Sequence, residues 1–121
     1  MTRILYVDDE ADIREVAELS LALEPDFEVR SCASGPEALV LAPSWRPDLI
    51  LLDVMMPGMD GPAVLKELRG LAETAATPII FITARTQQQE VAQLRALGAA
   101  GVIAKPFDPM TLGRQVRALL P

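Results

Sequence analysis

The chain has 121 residues, half of them hydrophobic but only 4% aromatic, and a net charge of −6. At about 150 residues per domain this length allows one core and not two. The acidic balance repels a phosphate backbone and excludes direct nucleic-acid binding, and no apolar run approaches the ~18 residues of a membrane span. No charged-then-apolar leader precedes Arg3-Ile4, so no secretion signal is expected. The lone cysteine, Cys32, cannot form an internal disulfide, which fits the cytoplasm; it reads as a small buried side chain closing a strand. There is no histidine, which removes the usual general base, metal-ligating nitrogen and phosphohistidine carrier.

Strand one is expected over Arg3 to Val7, ending on Asp8-Asp9-Glu10. Helix one follows Asp9, with Ile13, Val16, Ala17, Ser20 and Leu21 as its buried stripe. Arg14, Glu15 and Glu18 face outward, Leu19 and Leu23 lie off the stripe, and Pro25 stops the helix. Strand two spans Phe27 to Ser31. Ser34, with Glu37 as a capping box and Pro36 in the first turn, opens helix two, which Pro43 is expected to end. Leu49 to Leu52 is an unbroken apolar run, as in a strand buried on both faces; it ends on Asp53, and the Pro57-Gly58 breaker follows. Asp60 caps helix three, with Leu65, Leu68 and Leu71 inward. Strand four, Pro78 to Ile82, ends on Thr83. Thr86 and Gln89 form a second capping box for helix four, with Val91, Leu94 and Leu97 inward and Gly98 at its end. Strand five, Gly101 to Ala104, ends on Lys105-Pro106. Asp108-Pro109 caps helix five, with Leu112, Val116 and Leu119 inward. Strand–helix alternation five times over implies a parallel sheet with helices on both faces.

In such sheets the crevice lies at the C-terminal ends of the strands. Four strands here end on chemistry: Asp8 and Asp9, Asp53, Thr83, and Lys105. Two like charges ~4 Å apart repel by about 4 kcal/mol at an effective dielectric of 20, so the three carboxylates require a cation. Oxygen donors without His or Cys select a hard ion, Mg²⁺ or Mn²⁺ rather than an all-protein Ca²⁺ cage. Carboxylate, divalent ion, ammonium and hydroxyl together are the parts of phosphoryl transfer, in which the cations hold the non-bridging oxygens while a carboxylate attacks phosphorus.

Val7-Asp8-Asp9-Glu10, Leu52-Asp53-Val54-Met55-Met56-Pro57-Gly58-Met59-Asp60-Gly61, Thr83-Ala84 and Lys105-Pro106-Phe107, in this order and spacing, carry a family signature. Over its whole length the chain resembles the receiver domain of bacterial two-component response regulators. The resemblance implies a doubly wound (βα)₅ flavodoxin-like α/β fold, strand order 2-1-3-4-5. Residues 1–121 are expected to be one receiver domain with no output domain in this chain, either a stand-alone regulator or a receiver cut from a longer chain. It implies that Asp53 accepts a phosphoryl group from the phosphohistidine of a sensor kinase or histidine phosphotransfer protein. Asp9, Asp53 and the Met55 carbonyl would bind Mg²⁺ directly, and Asp8 through a metal-bound water. Lys105 would pair with Asp53 and then with the phosphoryl oxygens, Thr83 would swing onto the phosphoryl group, and Lys105-Pro106 would be cis. Met55 and Arg85 stand where the family tunes phosphoryl lifetime. The family's switch has Tyr or Phe three residues before the lysine; this chain has Val102 there, so a subtler surface change is expected. Arg14, Glu15, Glu18 and the loop near Phe107 would form the kinase-docking face.

Two other readings of the same fold class compete. A flavin mononucleotide module needs a neutral phosphate cradle after strand one, and Asp8-Asp9-Glu10 is its opposite. An Asp-nucleophile phosphatase needs a second acid beside the first, and Asp53-Val54-Met55 offers none. The expectation is therefore a phospho-accepting switch with slow self-dephosphorylation, not a turnover enzyme, acting on a downstream effector. Arg95, Arg114 and Arg117 on the helix four–strand five–helix five face show no acidic complement in the sequence, and a monomer is expected.

Overall fold

A computed structural model describes residues 1–120. Ten elements alternate along the chain: β1 (Thr2–Val7), α1 (Ala11–Leu21), β2 (Phe27–Cys32), α2 (Gly35–Trp45), β3 (Leu49–Asp53), α3 (Gly61–Arg69), β4 (Ile79–Thr83), α4 (Gln88–Ala96), β5 (Gly101–Ala104) and α5 (Leu112–Leu119). The strands form one parallel sheet in the order β2-β1-β3-β4-β5, the expected doubly wound fold. Side chains alternate across each strand, so the sheet builds a core on each face. Ile4, Tyr6, Leu49, Leu51, Ile80, Ile82 and Ile103 pack under α1 and α5. Leu5, Val7, Ile50, Leu52, Ile79 and Phe81 pack under α2, α3 and α4. Every residue of β3 and β4 is buried, which is why both read as unbroken apolar runs.

The caps of two helices are as the sequence indicates. Ser34 Oγ accepts from Glu37 N at 3.3 Å, and Asp60 Oδ1 accepts from Ala63 N at 2.9 Å. Elsewhere packing overrules the local signal. Pro43 does not end α2, which runs on to Trp45. A proline near the C-terminus removes a single intrahelical bond, and buried Ala42 and Trp45 hold the last turn against the core. The helix closes where Arg46, left-handed at φ 56°, donates its N–H to Ala42 O at 2.9 Å. Val16 is 38% exposed and Leu97 49% exposed, so neither is inward as expected; α1 and α4 each rest on a narrower stripe. Leu71 lies beyond the end of α3 and is only half-buried. Thr86 caps nothing: Gln87 precedes α4 and no side chain caps it. Asp108 instead accepts from Met110 N at 2.9 Å, making a turn ahead of α5. Arg117 does find acids, pairing with Glu24 and Asp26 between α1 and β2 and lying over the Phe27 ring. Cys32 is buried at the end of β2, and burial pushes its thiol up to about 11. No helix among the described residues is long and apolar enough to cross a membrane.

Candidate functional site

The pleat and the register assemble the site. Val7 pairs with Leu52, so Asp8 stands one step beyond, beside Asp53. Asp8, Asp53 and Lys105 each lie two residues after a side chain of the α1/α5 core: Tyr6, Leu51 and Ile103. A period of two sends all three to the same face. Lys105 reaches in from the end of β5, its backbone N–H held by Thr83 O at 2.8 Å, and its peptide bond to Pro106 is cis, as expected.

Asp8, Asp9 and Asp53 present carboxylate oxygens within 4.8 Å of one another. Asp8 is fully buried and Asp53 is 4% exposed, whereas Asp9 is exposed. Lys105 Nζ lies 3.0 Å from Asp8 Oδ2, 3.4 Å from Asp53 Oδ2 and 3.5 Å from Glu10 Oε1. One ammonium thus serves three carboxylates. Burial, then the neighbouring Asp8 charge, pushes Asp53 up to about 6; Lys105 and the Met55 N–H pull the other way without cancelling them. Burial works against the Lys105 charge, but its hydrogen bond to Asp8 and the charges of Asp53, Asp8 and Glu10 outweigh it, and its pKa is raised. The cluster therefore carries more negative charge than its own cation neutralises. A hard divalent cation fits this donor set of oxygens with one exposed member open to water.

Three contacts escaped the sequence reading. Tyr6, 1% exposed, donates its hydroxyl to Asp8 Oδ2 at 3.0 Å. Burial, then Asp8, raises that phenol, so it remains a donor. Arg14, read as outward-facing, bends back and donates from Nη1 to Asp8 O at 2.8 Å; a helical wheel ignores the reach of an arginine in the first turn. Glu10 closes the β1–α1 turn by donating its N–H to Asp8 Oδ1 at 3.0 Å. The Tyr6 signal was present in the sequence, because residues i and i+2 of a strand share a face.

Thr83 ends β4, the strand paired with β3, and Arg85 follows it. Thr83 is 2% exposed, two residues after Phe81 of the opposite core, and its Oγ1 accepts from Arg85 N at 3.0 Å. Exposed Met55 lines both the hollow over Asp53 and Lys105 and the one beside Thr83 and Arg85. Val102 is half-buried against the α2/α3/α4 core. Along α1, Glu15 is exposed, while Glu18 is partly buried and accepts from the Ser31 hydroxyl. Phe107 packs partly against the α1/α5 core.

Residues 4–117 match the family described as the response regulator receiver domain. The transcriptional regulatory protein ResD of Bacillus subtilis is 40% identical over 119 residues, covering 98% of this chain and 48% of ResD. The response regulator PleD of Caulobacter vibrioides is 42% identical over 118 residues, covering 97% of this chain and 26% of PleD. The chain thus spans about half, or less, of the length of these curated relatives. Among solved structures, the Vibrio cholerae chemotaxis protein CheY4 superposes with a TM-score of 0.90 at 36% identity, over 99% of both chains.

Proposed function

Since the chain belongs to the response regulator receiver domain family of bacterial two-component systems, we propose that Asp53 is its phosphoryl acceptor and that the surrounding residues divide the work of transfer and signalling. As a receiver domain it is a phospho-accepting switch and not a turnover enzyme. The observation that carries the assignment is the buried Asp53 carboxylate, 3.4 Å from Lys105 Nζ and within 4.8 Å of Asp8 and Asp9 oxygens. A carboxylate oxygen of Asp53 attacks phosphorus; the bond from phosphorus to the imidazole nitrogen of the donor breaks, and that nitrogen keeps the electron pair and takes a proton. Asp9, Asp53 and the Met55 carbonyl would hold Mg²⁺, with Asp8 acting through a bound water. When bound, the ion supplies charge neutralisation at the non-bridging phosphoryl oxygens. Lys105 exchanges its carboxylates for a phosphoryl oxygen.

The donor is a phosphohistidine on a sensor kinase or phosphotransfer protein, approached over the hollow lined by Ile13, Met55 and Phe107. Its histidine comes from the partner, because this chain has none. Thr83 leaves the Arg85 N–H to donate to the phosphoryl group. Met55 and Arg85 flank the path of the hydrolytic water and set the lifetime. The output is read by a downstream partner.

Incubation with acetyl phosphate and Mg²⁺ is expected to add one phosphoryl mass to the wild type, and none to Asp53→Asn or to protein in chelator. An adduct that survives in Asp53→Asn would overturn the assignment. Val102 has no ring to carry between exposed and buried rotamers. Backbone chemical shifts with and without beryllofluoride, which mimics a phosphoryl group on a carboxylate, are expected to move most at Thr83 and Arg85. A large rearrangement centred on Val102 would contradict this.

A further inference from the structure

Asp8 Oδ2 accepts two hydrogen bonds, from Tyr6 Oη and from Lys105 Nζ, both at 3.0 Å. Oδ1 accepts a third, from Glu10 N. The carboxylate is fully buried, so no bulk water can replace a lost donor. Transfer of Lys105 to a phosphoryl oxygen on Asp53 would remove one of the two donors to Oδ2. For a buried carboxylate an uncompensated oxygen is costly, and it would hold the lysine back or turn the carboxylate away from its working orientation. The tyrosine hydroxyl is on the spot to prevent both. Its ring is fixed in the α1/α5 core among Ile4, Leu51 and Ile82, and it stands two residues before Asp8 on a strand paired on both sides. Phenylalanine would fill the same space without the bond.

We infer that Tyr6 is a positioning residue: its hydroxyl keeps Asp8 Oδ2 bonded and the carboxylate oriented while Lys105 is handed to the phosphoryl group. The inference rests on the phosphoryl-acceptor reading of Asp53. It divides the ligand set by role. Asp9 is exposed and free to follow an ion, whereas Asp8 is fastened by Tyr6 on one oxygen and by the β1–α1 turn on the other. Lys105 is released from a partner that does not need it.

Tyr6 is the only tyrosine of the chain, so the test can be read directly in the wild type. With Mg²⁺ present throughout, beryllofluoride is expected to shift the tyrosine absorption band to the red, because the phenol becomes the sole protein donor to Oδ2 and donates more strongly. In Lys105→Ala the band is expected to be red-shifted from the start and to move no further. Tyr6→Phe is expected to bind Mg²⁺ about tenfold more weakly by calorimetry, the size typical of losing a residue that orients a metal ligand. The single tryptophan, Trp45 at the opposite end of the sheet, reports whether that variant is folded. A folded Tyr6→Phe with wild-type Mg²⁺ affinity would make the hydroxyl merely structural and overturn the inference. So would an unmoved tyrosine band in wild type whose bound beryllofluoride is visible by fluorine resonance, and that result needs no variant to fold. No bound fluorine signal at all would overturn the acceptor reading itself, and the inference with it.

Discussion

In chelator at about pH 8, Asp53→Asn is expected to be more stable than the wild type by about 2 kcal/mol, although it removes the proposed phosphoryl acceptor. The cause is the charge excess of the empty site. Asp53 titrates near 6 in the folded protein against an ordinary carboxylate value of 3.8, because it is buried and faces Asp8. Between those two values the folded chain holds a proton that the unfolded chain has released. Stability therefore falls as the pH rises through that window, and the full penalty is present above it. A shift of about two units corresponds to roughly 3 kcal/mol at 1.36 kcal/mol per unit. Asp53 is 4% exposed, so solvent screening takes little from this. The amide gives back part of it by losing the charge-assisted bond to Lys105. Denaturant unfolding of both proteins should show the gap near pH 8 and its disappearance near pH 4. Adding Mg²⁺ should reverse the order by stabilising only the chain with the intact ligand set. Equal stability at both pH values in chelator would mean that Lys105 already compensates the carboxylate.

The same physics explains which parts of the molecule were legible in the sequence. A parallel strand buried on both faces is written as an unbroken apolar run, and Leu49 to Leu52 and Ile79 to Ile82 are such runs. The polar residue at the end of such a strand falls at the C-terminal edge of the sheet, so Asp53, Thr83 and Lys105 could be brought to one edge before any geometry was known. Period-two alternation even decides the face, with Asp53 following the α1/α5 core side chain Leu51 and Thr83 following Phe81 of the other core. The helix surfaces were harder to read. Whether Val16 and Leu97 are covered depends on where neighbouring helices stop, which a helical wheel does not encode. Pro43 carries a strong local preference to end α2, but that preference is opposed by the burial of Trp45. The reach of Arg14 to the Asp8 carbonyl, and the choice of Gln87 over Thr86 at the start of α4, depend on tertiary placement of flexible groups. Tyr6 was overlooked because a tyrosine in an apolar strand serves equally well as core; only the position of its hydroxyl separates the two roles.

Gly61→Ala is expected to cost about 3 kcal/mol and to slow phosphorylation as well, although the methyl group lies outside the ring of charged residues. Gly61 is the first residue of α3, and its N–H donates back to Val54 O at 2.9 Å. A Cβ there would sit 2.5 Å from Asp53 O, 3.0 Å from Val54 Cα and 3.1 Å from Phe81 Cε1. The first two are backbone atoms and cannot rotate away. Either α3 retreats, losing the Asp60 cap and the packing of Val64 and Leu65, or the end of β3 shifts and carries Asp53 off the Lys105 ammonium. Alanine returns about 1 kcal/mol in helix propensity, too little to offset either movement. Gly70→Ala is the informative contrast. Gly70 follows α3 in right-handed helical backbone, and the nearest atom its Cβ would meet is Glu67 O at 3.4 Å. That change should be neutral or slightly stabilising. Denaturant midpoints for the two variants, with initial rates of acetyl phosphate labelling, check both halves of the argument. A Gly61→Ala protein of wild-type stability and labelling rate would show that the β3–α3 junction can relax without moving Asp53.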